Sequence, residues 1–241
     1  MEDKFKNYHI VLIPDGNRRW ARKRGFQPWI GHQAGARAFN KILDKALEMR
    51  VRHFTFWGTS FDNLTKRSKI EVRFLYSTMT ERFKRAAKSE RIHKNKVRVN
   101  VLGRWEEIAP EGTKKAIREV IERTKNYSKY FLTFLIAYNG TDEMISCIKN
   151  IAHLVKRGGA SIDKINEKLV QENLWTNFLP PVDLVIRTGC EGDPHNSAGF
   201  MMWHTAYSQL YFTKTFFPAF SPQEFEDIIK DFEKRERRMG A

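Results

Sequence analysis

The chain has little cysteine and no long apolar run. Its 241 residues include only Cys147 and Cys190, whose separation matches no metal-binding spacing and which a cytosolic protein would keep reduced. The longest apolar stretches, such as 131–138, fall far short of the roughly 20 residues that a membrane-spanning helix needs. The charged segment 1–8 leads into an apolar run too short for a signal-peptide core, so we expect a soluble, cytoplasmic protein.

The sequence also lacks a recognisable nucleic-acid-binding module, internal repeat or low-complexity segment. Positive charge is in excess, because a net charge of +15 favours nucleic acid, anionic lipid headgroups or phosphorylated small molecules as partners. Much of this charge lies in 84–98 and 114–129, where it alternates with glutamate or apolar residues as on solvated helix faces. We therefore expect no nucleic-acid partner, and we keep peripheral contact with a membrane surface as an open alternative.

Short β-rich runs and amphipathic helical patterns alternate along the whole chain. One helical pattern places Phe39, Ile42 and Leu43 on a single face, and another does so for Leu75 and Met79. This alternation predicts an α/β fold with a mostly parallel central sheet of about six strands, flanked by helices and joined by right-handed crossovers. No linker-like segment divides the chain, so we expect a single domain over 1–241. The predicted strands are 9–13, 53–57, 97–102, 131–137, 183–186 and 209–212.

Polar residues follow several of these predicted strands. Asp15 comes after the first run, Ser60 and Asn63 after the second, Asn139 after the fourth and Arg187 after the fifth. Ligands of open α/β sheets bind beyond the carboxyl ends of the strands, so we expect these residues to meet in one cleft.

The sharpest single pattern is the apolar run 10–13, which ends abruptly in the polar segment 14–20. Asp15 is a carboxylate suited to Mg²⁺, Gly16 and the amides after it suit phosphate oxygens, and Arg18 and Arg19 suit the remaining charge. These residue types are also common in ordinary turns, and composition alone leaves the two interpretations equally open.

Further motifs follow in order along the chain. They are Gly31-His32 with Gly35; Ser60, Asp62, Asn63, Arg67 and Ser68; the segment 181–189; Trp203, 206–208, 210–212 and Pro218; and 235–240. Together with His9 and 14–21, these motifs cover nearly the whole chain. They are similar to those of the cis-prenyltransferases, the undecaprenyl diphosphate synthase family.

The resemblance implies Mg²⁺-dependent condensation of an allylic prenyl diphosphate with isopentenyl diphosphate, giving a Z-linked product. It assigns Asp15 to the metal and to catalysis, and it assigns catalytic roles to His32 and Asn63 as well. Without the resemblance, a structural hydrogen bond is the simpler role for His32 and an Asx-turn the simpler role for Asn63. The implied allylic diphosphate-binding residues are Gly16, Asn17, Arg18, Arg19 and His32.

On the acceptor side, the resemblance implies that the terminal Arg238 and Gly240 complete the site across a homodimer interface. A frayed basic tail is the alternative for Arg238. The implied acceptor-binding residues are Ser60, Arg67, Arg187, Ser197, Arg238 and Gly240. A growing product also needs an apolar tunnel. Candidate lining residues, many of which could be ordinary core, are Phe54, Phe56, Trp57, Phe74, Leu75, Met79, Leu102, Phe134 and Ile136.

The acceptor half departs from the usual pattern of the family. Relatives usually place a second arginine shortly after the segment matching 187–191, whereas this chain has the longer, arginine-free segment 192–199. Gln209 replaces a glutamate that contributes to the family's metal site, and Arg18 stands where bacterial relatives commonly have glycine. Two alternatives to the condensation therefore stay open. One is transfer of the prenyl group to an alcohol or phosphorylated alcohol, and the other is a non-catalytic prenyl-diphosphate-binding partner subunit.

Overall fold

A computed structural model describes residues 8–235 and contains one sheet of six parallel strands in the order β3-β4-β2-β1-β5-β6. This confirms the predicted fold class. Most strand bounds match the prediction, but β4 ends at Leu135 because Ala137 turns the chain out of the sheet with a φ of 51°. The strands are β1 His9–Ile13, β2 His53–Trp57, β3 Val97–Leu102, β4 Tyr130–Leu135, β5 Leu184–Arg187 and β6 Gln209–Phe212.

Helices connect the strands and cover the sheet, as parallel pairing requires. Short 3-10 turns at Ile162–Lys164 and Phe217–Ala219 supplement them. The helices are α1 Asn17–Arg22, α2 Pro28–Glu48, α3 Phe61–Lys66, α4 Lys69–Ala86, α5 Glu90–Lys94, α6 Trp105–Ile108, α7 Glu111–Thr124, α8 Gly140–Lys156, α9 Glu167–Glu172 and α10 Pro222–Lys234. Within 8–235, none of the helices is long and apolar enough to cross a membrane.

Alternate residues of β1 belong to two different cores. Ile10 and Leu12 lie in the larger core with residues of α2, α7 and α10, whereas Val11 and Ile13 face a second core that contains Phe200. All five residues of β1 are buried. The sheet is therefore covered on both faces, and a ligand can reach it only at the ends of the strands.

The strand order reverses at β1, which pairs with β2 on one side and with β5 on the other. Ile13, the last residue of β1, is in register with Arg187, the last residue of β5. Crevices at such switch points are the usual ligand sites of open α/β sheets. The fold therefore positions Asp15 and Arg187 at the mouth of a crevice.

Candidate active site

The backbone of Asp15 is fixed by residues that follow β5. Its N–H donates to Thr188 Oγ1 at 2.9 Å, the Thr188 hydroxyl donates to the Asp15 carbonyl oxygen at 2.9 Å, and Phe217 N–H donates to the same oxygen at 3.0 Å. Gly16 follows with a φ of 94°, and a Cβ there would lie 2.5 Å from Phe216 Cδ1. The loop therefore requires glycine after Asp15 and holds the carboxylate at the end of the sheet.

The Asp15 carboxylate joins two arginines. Its Oδ1 lies 3.1 Å from Arg19 Nη2, and its Oδ2 accepts a hydrogen bond from Arg187 Nη2 at 3.0 Å. Arg187 is buried, and its Nη1 donates to the His195 carbonyl oxygen at 2.6 Å and to Ser197 Oγ at 3.0 Å. The structure thus brings Asp15, Arg19, Arg187 and Ser197 into one network.

Glu191 is a site residue that the sequence analysis did not single out. Its carboxylate accepts from Lys23 Nζ at 2.8 Å and from Arg19 Nη1 at 3.1 Å. The hydrogen bond from Lys23 and the charge of Arg19 hold the pKa of Glu191 below its ordinary value. In this state of the molecule, Arg19 is shared between Asp15 and Glu191, so a bound anion has to compete with both carboxylates for it.

A second cluster surrounds the buried carboxylate of Glu71, which the sequence analysis also missed. Glu71 Oε1 lies 3.1 Å from His32 Nε2, 3.1 Å from Arg67 Nη1 and 3.6 Å from Arg18 Nε. Arg67 also donates through Nη2 to Asn63 Oδ1 at 2.6 Å. One carboxylate therefore holds three of the predicted site residues together, and Arg67 links them to the fourth.

The surroundings of His32 disfavour its protonated form. Burial lowers its pKa and the charge of Arg67 lowers it further, although the hydrogen bond with Glu71 opposes both effects. Neutral His32 carrying its proton on Nε2 donates to Glu71, which leaves Nδ1 without a protein partner among the described residues. Burial also lowers the pKa of Arg67. The ion pairs and the hydrogen bond to the Glu71 carboxylate therefore offset the free-energy cost of removing these cationic side chains from water.

Ser60 has a structural role in this state. It is buried, and its hydroxyl accepts from the Asn63 N–H at 3.0 Å, which caps α3. This cap orients the first turn of α3 and so directs the Asn63 side chain toward Arg67. Of the predicted acceptor residues, Arg238 and Gly240 lie outside the described residues.

A polar cavity of about 260 Å³ lies against the loop after β1. Asn17 is fixed beside it by a hydrogen bond from Nδ2 to the Pro14 carbonyl oxygen at 3.0 Å, while its buried Oδ1 has no hydrogen-bond partner within residues 8–235. All the predicted allylic diphosphate-binding residues line this cavity, and Arg22 adds a further cation. The lining residues are Pro14, Asp15, Gly16, Asn17, Arg18, Arg19, Arg22, His32 and Arg67.

Two glycines of α2 allow the close approach of α1. A Cβ on Gly31 would lie 2.0 Å from the Asn17 carbonyl oxygen, and a Cβ on Gly35 would lie 2.2 Å from Asn17 Oδ1. Both distances are far inside contact range, so any larger residue would displace the loop that carries Asn17. These two glycines therefore set the position of one wall of the cavity.

An apolar tunnel of about 320 Å³ runs from the same place into the protein. It shares Pro14, Asn17 and His32 with the polar cavity, so the two spaces meet at these residues. The tunnel confirms five of the predicted lining residues, namely Phe56, Leu75, Met79, Phe134 and Ile136.

For the other four candidates, the prediction that they line the tunnel is wrong. Trp57 and Leu102 contact the second core, on the opposite face of the sheet, and Phe54 is packed in the larger core without lining the tunnel. Phe74 is 39% exposed and stacks on Trp29 with ring centroids 5.0 Å apart.

Gln209 does not share a site with Asp15 of the same chain. It is the first residue of β6 and is in register with Leu184, whereas Asp15 lies beyond the opposite ends of the strands. At about 3.3 Å per residue, the three-residue offset from Ile10 to Ile13 alone separates their levels by about 10 Å. Its side chain is instead 3.4 Å from Arg235 Nη1. Within one chain, the structure therefore places Gln209 away from the Asp15 carboxylate.

The donor set at Asp15 suits Mg²⁺. No group of three or more His, Cys, Asp or Glu residues that could hold a metal ion occurs in the part of the chain that the structure describes. Mg²⁺ commonly uses one or two carboxylates and takes its other ligands from water and substrate phosphates. The Asp15 carboxylate is 36% exposed beside a cavity rich in arginine, so it fits a magnesium diphosphate rather than an all-protein metal site.

Comparison with known proteins agrees with this geometry. The family model described as putative undecaprenyl diphosphate synthase matches residues 13–240. The chain is 39% identical over 232 residues to a tritrans,polycis-undecaprenyl-diphosphate synthase (geranylgeranyl-diphosphate specific) of Pyrococcus furiosus, covering 96% of this chain and 86% of the relative. A protein of the same description from Methanopyrus kandleri is 38% identical over 244 residues, covering 100% of this chain and 88% of the relative.

Two solved structures of prenyl diphosphate synthases are also similar to this chain. Lavandulyl diphosphate synthase from Lavandula x intermedia, in complex with dimethylallyl diphosphate, superposes with a TM-score of 0.90 at 26% identity, covering 99% of this chain and 100% of that one. A probable undecaprenyl diphosphate synthase from Campylobacter jejuni gives 0.76 at 25% identity, covering 99% of each chain. The chain therefore belongs to the undecaprenyl diphosphate synthase family, the cis-prenyltransferases, and is a prenyltransferase of isoprenoid biosynthesis.

Proposed function

We propose that this chain extends an allylic prenyl diphosphate with isopentenyl diphosphate in a Mg²⁺-dependent reaction that gives a cis-linked prenyl diphosphate. The observation that carries the proposal is the junction at Pro14, Asn17 and His32, where the arginine-lined cavity meets the apolar tunnel. An allylic diphosphate has the same two parts, a charged head and an apolar chain. A substrate seated across the junction places its reactive C1 carbon between them.

The diphosphate head is held by the residues of the polar cavity. Arg18 and Arg19 supply cationic donors, and Arg19 exchanges its contact with Glu191 for a phosphate oxygen. Arg67, which the resemblance assigned to the acceptor, lines the same cavity and adds a third cation to it. The anion also favours protonation of His32, which then donates from Nδ1 to the substrate while Nε2 keeps its contact with Glu71. These donors stabilise the charge that grows on the leaving diphosphate.

Asp15 would hold Mg²⁺ through its exposed carboxylate, with the substrate phosphates completing the coordination. When bound, the ion supplies Lewis-acid stabilisation of the departing diphosphate. Arg187 keeps the Asp15 carboxylate oriented through Oδ2, so Oδ1 faces the cavity side.

The acceptor is placed on the other side of Asp15. Arg187 is the cation available to its diphosphate, and Ser197 is a neutral donor beside it. Asn63, held by Arg67, is in place to orient the acceptor double bond and to assist loss of its proton. In the reaction the allylic C1–oxygen bond breaks, the new carbon–carbon bond forms to the acceptor, and the acceptor loses one proton.

A homodimer would complete this acceptor site with the terminal Arg238 and Gly240. Exposed apolar side chains around the edge strand β6 support a self-association surface there, because Tyr207 is 90% and Leu210 44% exposed. Leu210→Glu should convert a dimer into a monomer in sedimentation velocity and raise the KM for isopentenyl diphosphate. A monomeric wild-type protein with full activity would contradict the dimer.

A second candidate is transfer of the same prenyl group to a neutral or phosphorylated alcohol. The specific observation that favours it is the loop after β5, which contacts Arg187 through the His195 carbonyl oxygen and Ser197 and has no arginine or lysine in 192–199. A site with fewer cations discriminates less strongly in favour of a diphosphate acceptor.

Mass spectrometry of the reaction products tests both candidates. Purified protein is incubated with Mg²⁺, allylic diphosphates of several lengths and isotope-labelled isopentenyl diphosphate, with alcohol acceptors in parallel. Labelled, elongated diphosphates are the expected result. Prenylated alcohols without elongated diphosphates would support the second candidate and contradict the first. The absence of any product would contradict both.

A further inference from the structure

Asn139, a polar residue that follows β4, has no role in the proposed function. It is buried and is the N-cap residue of α8. Its side chain does not cap that helix; its Oδ1 instead accepts a hydrogen bond from the Phe61 N–H at 3.2 Å. Phe61 is the first residue of α3, the short helix that carries Asn63. The side chain of Asn139 therefore ties the start of α3 to the start of α8.

Helix α3 depends on outside contacts for its direction, because its six residues are too few for a helix that is stable alone. The first amides of an α-helix have no partner within the helix. In α3, Ser60 Oγ accepts from one of them, the Asn63 N–H, and Asn139 accepts from another. The Arg104 guanidinium also lies over the Phe61 ring, 3.9 Å from its centroid. These contacts fix the direction of α3 and hence the position of Asn63.

The residue after Asn139 holds the loop that follows β5. Gly140 N–H donates to the Ala198 carbonyl oxygen at 2.9 Å, and Ala198 is next to Ser197 in that loop. The approach is close, because a Cβ on Gly140 would lie 1.8 Å from the Gly199 carbonyl oxygen. Two consecutive residues, Asn139 and Gly140, thus hold α3 and the loop after β5 at a fixed separation.

We propose that Asn139 is a positioning residue for the acceptor, because its amide oxygen sets the distance between α3 and the loop after β5. The inference rests on the proposed function, in which Asn63 orients the acceptor double bond and Ser197 lies beside its diphosphate. One short carbon chain joins the double bond of isopentenyl diphosphate to its diphosphate. A small shift of α3 against the loop therefore misplaces the double bond when the diphosphate is bound.

The allylic half of the site does not depend on this contact. Asp15 is held by Thr188 and Phe217, and two glycines of α2 set the position of Asn17. Loss of the Asn139 amide oxygen should therefore affect the two substrates unequally, whereas a general loss of structure would affect both.

The test compares the steady-state kinetics of wild type, Asn139→Ala, Asn139→Asp and a control, Asn166→Ala. Alanine removes the acceptor of the Phe61 N–H, whereas aspartate keeps an Oδ1 of the same reach. Asn166 also accepts a backbone N–H through its Oδ1, from Leu169 at 3.0 Å, but it is exposed and caps α9. We expect Asn139→Ala to raise the KM for isopentenyl diphosphate by about 10-fold or more. Its affinity for a non-reactive allylic diphosphate analogue should stay close to that of wild type, and the other two variants should retain both values.

An unchanged KM for isopentenyl diphosphate in Asn139→Ala would overturn the proposal, as would an equal loss of allylic affinity or an equal rise of this KM in Asn166→Ala. Failure of Asn139→Asp to recover the KM would also overturn it, because the amide oxygen would then not be the group that matters. If Asn139→Ala does not fold, Arg104→Met releases the Phe61 ring from a position that is 32% exposed and carries the same expectation. A wild-type protein without elongated products would instead contradict the proposed function, so the two failures are distinguishable.

Discussion

Asp15 and Arg187 form an ion pair across the ends of two neighbouring parallel strands, with Arg187 Nη2 3.0 Å from Asp15 Oδ2. The two residues are 172 positions apart in the chain. Arg187 is almost fully buried, whereas Asp15 is exposed on the side that faces the polar cavity. The pair therefore anchors one carboxylate oxygen in the protein and directs the other toward the substrate.

Asp15→Asn should abolish turnover while the fold is retained. The amide keeps the shape of the side chain but removes the charge that attracts Mg²⁺, so we expect kcat to fall by at least about 100-fold. A Mg²⁺-supplied assay measures turnover, and thermal unfolding checks the fold. Asp62→Asn is the matched control, because Asp62 is exposed and forms an exposed ion pair with Lys66. Equal activity in the two variants would rule out the metal role of Asp15.

Glu71→Gln should be strongly destabilising. It leaves Arg18, Arg67 and His32 clustered without the buried carboxylate that holds them, and breaking a buried ion pair costs about 3–5 kcal/mol. Urea unfolding measures this loss, with exposed Glu90→Gln as the control that should change little. Pyrophosphate should restore more stability to Glu71→Gln than to wild type, since it supplies the missing negative charge. No difference between the two would contradict the account of the cluster.

Gly31→Ala should weaken allylic diphosphate binding without lowering helix propensity. A Cβ there would approach the Asn17 carbonyl oxygen to 2.0 Å, so α1 must move away from α2. Calorimetric titration with a non-reactive allylic diphosphate analogue measures the loss. Gly112→Ala in α7 is the control, because nothing lies within 4 Å of its Cβ, and this change should stabilise the protein by up to about 1 kcal/mol. Unchanged affinity in Gly31→Ala would show that the loop can shift without consequence.

Acid should destabilise the fold through its buried histidines. Burial lowers the pKa of His9 to about 3 and that of His53 to about 4, from an ordinary value of 6.5. The unfolded chain therefore binds more protons below about pH 6.5, and each such histidine removes about 1.4 kcal/mol of unfolding free energy per pH unit as the pH falls toward its folded pKa.

Urea unfolding between neutral pH and about pH 4 measures this slope. His53→Gln removes one of the titrating groups and leaves His9 with its contacts to Pro180 and Thr55, so the slope should become shallower. An identical slope in this variant would mean that His53 does not contribute to acid sensitivity.

The strands were predictable because each β-rich run is bounded by turn-forming or helical sequence, and the polar residues after them indicated the functional edge. The face of the sheet on which each strand side chain lies was harder to predict. In a parallel sheet covered on both faces, apolar residues occupy both faces of a strand, so an apolar side chain does not show which face it occupies. Trp57 and Leu102 were assigned to the tunnel for this reason and belong to the other core.

Charged residues on helices were the other source of error. Glu71 lies in a basic, amphipathic helix and resembles a solvated charge in sequence, although its spacing of four residues from Arg67 is typical of a helical ion pair. Only the packing of α2 against α4 brings His32 to it and buries the cluster.

The central position of β1 has a consequence for how the chain acquires its activity. This strand is synthesised before the other strands of the sheet, yet its partner β5 comes more than 170 residues later. Pairings of such long sequence separation form slowly, because loop-closure entropy opposes them until many contacts form together. A nascent chain that has completed β2 still has one bare edge on β1 and no Arg187 to hold Asp15. Competence for chemistry should therefore be acquired late and all at once, when β5 docks.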